Sequence, residues 1–220
     1  MINEFKPYPQ QKDILDSTKK ILALFGGNRV GKTLTGALKT AFDATGVYPS
    51  WWNGPRVDKN IRVLVTAPNR CSTEPASWHI NEILGEVGAT CYTMKDGHIF
   101  KKIYVDRQEH DQSAIYFRPY QMLDDLDGKF DIIWVEDECD MRVIDYLRSR
   151  LADGGTMLFT LCPISGMTDS TKHLMTSDDV EYRRLPLDDI THIDKKTVDE
   201  FKKCFSGKEY EARVNGIPLE

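Results

Sequence analysis

The chain has 220 residues, of which 40% are hydrophobic, 10% aromatic and 29% charged, which excludes a disordered or collagen-like chain and leaves enough length to bury a core without disulfide or metal staples. Its formal charge of -5 argues against a domain that coats nucleic acid by bulk positive charge. That average hides an asymmetry, because residues 1–120 carry 16 basic against 12 acidic side chains while residues 121–220 carry 13 against 22, so any polyanion contact is expected on the first half.

In chain order, a helical pattern over Gln10–Lys20 leads into an apolar run at Ile21–Phe25, and a second helical pattern follows at Lys32–Thr45. The turn-rich segment YPSWWNGP (48–55) interrupts, then come a run at Ile61–Thr66 and a helix over Ser77–Val87. Residues Cys91–Arg118 alternate in short stretches separated by KDGH (95–98) and DRQEHDQS (106–113), and the last stretch, Ala114–Arg118, is strand-like. This pattern predicts a β-meander at a sheet edge. Further runs at Phe130–Val135 and Met157–Leu161 flank a helix over Met141–Ala152, and Thr197-x-x-Glu200 and Ser206-x-x-Glu209 read as capping boxes. Strand runs without polar alternation, separated by helices, predict an α/β layered domain with a mostly parallel sheet covered on both faces.

No apolar run approaches the roughly 20 residues that span a bilayer, and the N-terminus, MINEFKPYPQQKD, has no apolar signal core, so a cytoplasmic protein without membrane contact is expected. The cysteines, Cys71, Cys91, Cys139, Cys162 and Cys204, are odd in number and widely spaced, and read as reduced thiols that mostly fill the core.

The chemistry concentrates at Gly26-Gly27-Asn28-Arg29-Val30-Gly31-Lys32-Thr33, which matches G-x-x-x-x-G-K-[ST] between a predicted strand and a predicted helix. Glycines there let backbone N–H groups wrap phosphates, the helix N-terminus favours an anion, Lys32 adds charge at the terminal phosphates and Thr33 offers a hydroxyl to Mg²⁺. The motif therefore predicts a phosphate-bearing nucleotide with Mg²⁺. About a hundred residues on, Ile132-Ile-Trp-Val-Glu136-Asp137-Glu138 ends a buried strand in acids. Either Glu136 and Asp137 or Asp137 and Glu138 form the working pair. The first is preferred, with Glu136 on metal, Asp137 on the attacking water and Glu138 third, because an unpaired Glu136 at the end of a buried strand is costly.

Arg29 can neutralise charge on the transferred phosphoryl group, or salt-bridge the acidic cluster and only hold the loop. Gln11 can present its amide to adenine or be a surface residue of a Pro-led helix start. Thr160, at a strand end, can sense the γ-phosphate or be structural. Trp51 and Trp52 are expected to bury against the sheet edge rather than stack on bases, and Arg148 and Arg150 to lie on a solvated helix face rather than reach a neighbour's nucleotide.

Taken together, P-x-P-x-Q before the first strand, GGNRVGKT, YPSWW, RPYQMLDDLDGKFDIIWVEDE and FTLCPISGMTD resemble the ATPase domain of the large terminase subunits of tailed bacteriophages, over nearly the whole chain. The resemblance implies a RecA-like αβα fold that hydrolyses ATP to move double-stranded viral DNA into a procapsid, as a homo-oligomeric ring on the portal protein and with a small terminase subunit. It also implies Gln11 at adenine, Arg29 as an arginine finger, Lys32 and Thr33 at phosphate and Mg²⁺, and Thr160 in coupling. Two departures stand out. The family usually presents Asp then Glu at the acidic pair, where this chain has Glu136 then Asp137, which leaves the order of roles open. The family also carries a C-terminal nuclease domain, whereas residues 207–220 here read as the start of the linker toward it, so a single domain without nuclease activity is expected. The rivals are one RecA-like lobe of a superfamily 2 helicase, which needs a second lobe that 220 residues cannot house, and a non-catalytic ATP-binding assembly module.

Overall fold

Along the strand Ile21–Gly26 (β1), Leu22 and Leu24 point into one core and Ile21, Ala23 and Phe25 into another, so both faces of the sheet are covered, as continuous apolar strands require. The computed structural model describes residues 2–108 and 111–219. After a helix at Pro9–Asp16 (α1) come β1, Lys32–Thr45 (α2), Arg62–Ala67 (β2), Arg70–Glu86 (α3), Cys91–Asp96 (β3), Ile99–Gln108 (β4) and Asp111–Pro119 (β5). The second half holds Phe130–Glu136 (β6), Met141–Arg150 (α4), Leu151–Leu161 (β7), Asp169–Thr176 (α5), Val180–Leu185 (β8), Lys195–Lys202 (α6), Gly207–Tyr210 (α7) and a wide helical turn at Glu211–Asn215.

The eight strands lie in the order β3-β4-β5-β2-β6-β7-β1-β8. All neighbours from β5 to β8 pair in parallel, and β3 and β4 add an antiparallel extension at the β5 edge. Helices α1, α2, α3 and α6 contribute to one core and α4 and α5 to the other. The expected layered α/β architecture and the meander at one edge are both present; of its second polar turn, residues 109 and 110 lie outside the described residues.

Several local expectations are corrected. Helix α1 stops at Asp16, where Ser17 turns extended, rather than running to Lys20. Helix α3 opens at Arg70, seven residues before Ser77, because Asn69 caps it by accepting from the Ser72 N–H at 3.0 Å, and Pro75 is tolerated inside it. Thr197 is not a cap: Asp194 caps α6, and Thr197 donates to it from both its backbone N–H and its hydroxyl. Ser206 stands at the N-terminus of α7 without a side-chain capping bond. Helix α5 and strand β8 had no counterpart in the sequence reading.

Trp52 is buried and Trp51 half-buried against Phe42 of α2, with Tyr48 against Trp52, in the core that also takes Ile103 and Val105 of β4. The Trp51 indole donates to the Ile2 carbonyl. Arg148 contacts His173 of α5, and Arg150 donates to the hydroxyl of Tyr146 on its own helix, in keeping with a helix-face role. All five cysteines are unpaired thiols: Cys162 is buried, Cys91 and Cys139 are half-buried and pack one against each core, and Cys71 and Cys204 are exposed.

Residues 207–219, expected to begin a linker, are part of the folded unit, with Ala212 and Val214 fully buried. Helix α2 lies close on the sheet at Gly36, where an added Cβ would overlap the Trp134 indole of β6. Gly36→Ala therefore forces a helix and a central strand apart, and is expected to cost about 2 kcal/mol of folding stability, read as a lower denaturant midpoint at unchanged slope.

Candidate functional site

Parallel pairing brings the C-terminal ends of β1, β6 and β7 to one edge of the sheet, with Leu24 beside Thr160 and Thr160 beside Glu136. The loop from Gly26 to Gly31 leaves β1 there and opens α2. Gly31 has φ +90°, a conformation that favours glycine. Gly26 is packed against the end of β8 and Gly27 against residues 213–214: a Cβ on Gly26 would lie 2.6 Å from the Leu185 carbonyl oxygen, and one on Gly27 would lie 2.5 Å from that of Arg213. Asn28 donates its N–H to the Arg213 carbonyl at 2.8 Å, so residues 211–216 form a strap across the back of the loop.

The side chains predicted for chemistry meet at this edge, with three exceptions in detail. Lys32 donates to the Gly27 carbonyl at 2.5 Å and closes the loop on itself. Burial pushes its ammonium below the ordinary lysine range, against the pull of Cys162, Glu136 and Asp137. Thr33 donates to Oε1 of Glu136 and Thr160 donates to Oε2, so one carboxylate bridges the loop helix and the neighbouring strand. Burial raises the affinity of Glu136 for a proton, while the hydroxyls of Thr160 and Thr33 and the charge of Lys32 oppose that. Of the two registers open in the sequence, the structure places Glu136, not Asp137, against Thr33. Asp137 follows at φ +77°, held by its backbone N–H on the Thr160 carbonyl at 2.9 Å, with its side chain exposed.

Glu138, expected as a third acid, turns away and accepts from the N–H of Ser165 at 2.9 Å and from its hydroxyl at 2.7 Å. Gln11, expected at adenine, spends its amide within the protein: Oε1 accepts from the Tyr8 N–H at 2.9 Å, and Nε2 donates to the Gly31 carbonyl at 3.1 Å and to Thr35 at 2.9 Å. It braces the loop from beneath. Arg29 is exposed at φ +65°, and its guanidinium lies 5.3 Å from the Phe201 ring centre on α6. Among the described residues it makes no ion pair with the acidic cluster, so the loop-holding alternative is not the one adopted.

Beside the loop opens a cavity of about 700 Å³, lined by Phe5, Tyr8, Arg29, Leu34 and His192 among others. Its outer wall is fixed where the Tyr8 hydroxyl meets Nδ1 of His192 at 2.9 Å. Sequence reasoning missed three contributors. Ser165 gave no signal, and the strap at 211–216 looked like linker. Gly36 had one available cue, an isolated glycine inside an otherwise good helical pattern, which marks a close approach.

A parallel sheet covered on both faces, with a glycine-rich strand-to-helix loop and an acidic strand end at one edge, defines a RecA-like P-loop domain. Within that class the chain is similar to the large terminase subunits of bacteriophages. It is 24% identical to the terminase large subunit of Salmonella phage P22, an alignment that covers 99% of this chain and 51% of that protein. The chain thus spans about half the length of the curated relative it matches. Among solved structures, the large terminase of a thermophilic bacteriophage in complex with ADP superposes with a TM-score of 0.75 at 13% identity, covering 96% of this chain and 53% of that one. The ATPase domain of the Thermus phage P74-26 large terminase gives 0.70 at 15% identity, covering 99% and 96%. No family model matches the chain. The fold is the one these terminase ATPase domains share.

Proposed function

We propose that this chain is the ATP-hydrolysing motor domain of a DNA-packaging terminase, coupling hydrolysis to movement of double-stranded DNA into a procapsid. The observation that carries the reading is the bridge from Thr33 of the glycine-rich loop through Glu136 to Thr160, which assembles phosphate cradle, metal seat and strand-end hydroxyl at one sheet edge. The structures of the thermophilic-phage terminase in complex with ADP and with ATP-γ-S support nucleotide binding by a protein that contains this fold. The partners are double-stranded viral DNA, a portal protein, a small terminase subunit and further copies of the chain in a ring, in the cytoplasm of the infected host. Among the described residues no helix is long and apolar enough to cross a membrane.

In this reading the backbone N–H groups from Arg29 to Thr33 wrap the β- and γ-phosphates, the Asn28 N–H being held by the Arg213 carbonyl, and Lys32 neutralises them. The apolar cavity beside Tyr8 and Leu34 takes the base. The oxygen donors of Thr33 and Glu136 suit Mg²⁺, a hard cation usually held by one or two protein oxygens together with phosphate and water, and it supplies charge neutralisation across the transferred group. Asp137, exposed beside that pair, orients and deprotonates the attacking water. Glu138 holds the loop after β7 through Ser165, and Gln11 holds the phosphate loop rather than the base.

Arg29 rests on Phe201 and is free to turn toward a phosphate of its own or a neighbouring subunit. Arg29→Ala is expected to lower kcat at least about tenfold while changing nucleotide affinity by no more than about twofold; a loss confined to affinity makes it a binding residue instead. The test of the whole reading is steady-state phosphate release from ATP with Mg²⁺, with and without double-stranded DNA. Turnover that DNA stimulates supports a translocating motor, and nucleotide binding without any phosphate release overturns it in favour of an assembly module.

A further inference from the structure

The polar bridge at Glu136 continues one residue deeper. The Trp134 indole, fully buried in β6, donates its N–H to Oγ1 of Thr160 at 2.6 Å, and Thr160 is itself 1% exposed. An indole N–H can only donate, and a threonine hydroxyl has one proton and two lone pairs. Thr160 must therefore accept from Trp134, and its single proton goes to Oε2 of Glu136. No proton is left for a nucleotide, so Thr160 addresses the carboxylate and not a phosphate as donor. The other end of Trp134 is equally constrained, because its ring lies against Gly36 so closely that no Cβ fits between them. Gly36 sits three residues after Thr33, on the same face of α2. The contacts thus close a circuit: Thr33 to Oε1 of Glu136, Oε2 to Thr160, Thr160 to Trp134, Trp134 to Gly36, and back along one turn of helix to Thr33.

Resting on the hydrolysis reading above, we propose that Trp134 is a positioning residue for that reaction: its indole N–H sets the direction of the Thr160 hydroxyl and so holds the Glu136 carboxylate in register with the phosphate-loop helix. Trp134 touches neither nucleotide nor water. Without its N–H, the Thr160 hydroxyl is free to rotate, and Glu136 loses a fixed donor on the oxygen that faces β7. A displacement of α2 moves Trp134 through Gly36, which carries the state of the loop to the strand end by contact.

The test replaces the donor while keeping the ring. Trp134→Phe retains an aromatic side chain, and incorporation of 3-benzothienylalanine at position 134 retains the bicyclic shape against Gly36 with sulfur in place of N–H. Both are expected to lower kcat for ATP about tenfold, with the affinity for a non-hydrolysable ATP analogue changed by no more than about twofold. Combining Trp134→Phe with Thr160→Val is expected to lower kcat no further than Thr160→Val alone, since the two act through one hydroxyl. Wild-type kcat in the benzothienyl variant overturns the proposal, as does a double variant whose loss equals the product of the single losses, the mark of an independent packing role. A separate reading needs no turnover. The Trp134 indole N–H resonance, assigned by its loss in Trp134→Phe, is expected to shift and lose exchange protection in Thr160→Val. An unmoved resonance overturns the hydrogen-bond chain, whereas a moved resonance in a protein that releases no phosphate upholds the chain and removes only the hydrolysis reading.

Discussion

Lys32→Ala is expected to lower ATP turnover at least about a hundredfold without lowering the thermal midpoint. The ammonium is buried where the loop folds back on itself, bonded to the Gly27 carbonyl, and burial depresses its pKa. A cation in that position costs folding free energy until an anion arrives, so its removal relieves the empty loop while depriving the terminal phosphates of their nearest charge. Lys32→Arg does not substitute, because a planar guanidinium cannot occupy a seat shaped for a compact ammonium. Phosphate release and a thermal melt on the same preparation check both halves. Retained turnover excludes Lys32 from the reaction, and a large fall in the melting point shows that the lysine holds the fold instead.

Asp137→Asn is expected to lower kcat by about a hundredfold to ten-thousandfold, with analogue affinity changed by no more than about twofold. The substitution is unusually clean here. Asp137 sits at φ +77°, a conformation that asparagine adopts as readily as aspartate, and the bond that holds it comes from its backbone N–H to Thr160. The carboxylate's negative charge is removed, and with it the capacity to take a proton, while the backbone bond stays in place. Turnover at the wild-type rate would move water activation off this residue, and Glu138→Gln would then show whether the acid bonded to Ser165 can leave it.

The parts of the fold that could be read from the sequence are those in which short-range pattern and long-range environment agree. Apolar runs such as Ile132–Val135 carry no polar residue because both sheet faces are covered, and α2 runs from Lys32 to Thr45 as its periodicity predicts because the glycines at 31 and 46 end it at both sides. The start of α3 was not legible, since its first turn, Arg-Cys-Ser-Thr, is polar and a proline follows. Strand β8 escaped because Val180-Glu-Tyr-Arg-Arg-Leu185 carries charge on an edge strand, where only one neighbour demands apolar contact.

At the site, motif spacing brought Thr33 and Glu136 to the same sheet edge, but motif spacing says nothing about where an amide spends its hydrogen bonds. Gln11, expected on a base, bonds its amide to the Gly31 carbonyl and to Thr35 beneath the loop, and it also lines the cavity beside that loop. The strap at 211–216 is hard to see for a related reason: its contacts with Gly27 are the backbone carbonyls of Arg213 and Val214, which leave no mark on those side chains, and Gly216 against Gly26 is its one sequence cue.

The sheet order also dictates when the site can exist during synthesis. Strand β1 is made well before its two neighbours, β7 and β8, which begin 130 and more residues later, and the support behind Gly27 comes from Arg213 and Val214. Contacts of such sequence separation are slow to form and cannot begin before the distant partner has emerged. The meander and β2, by contrast, can pair among themselves at once. The phosphate loop is therefore made long before it can be completed, and a nascent chain that has reached only β6 carries β1 as an unpaired apolar strand whose loop lacks the strap behind it.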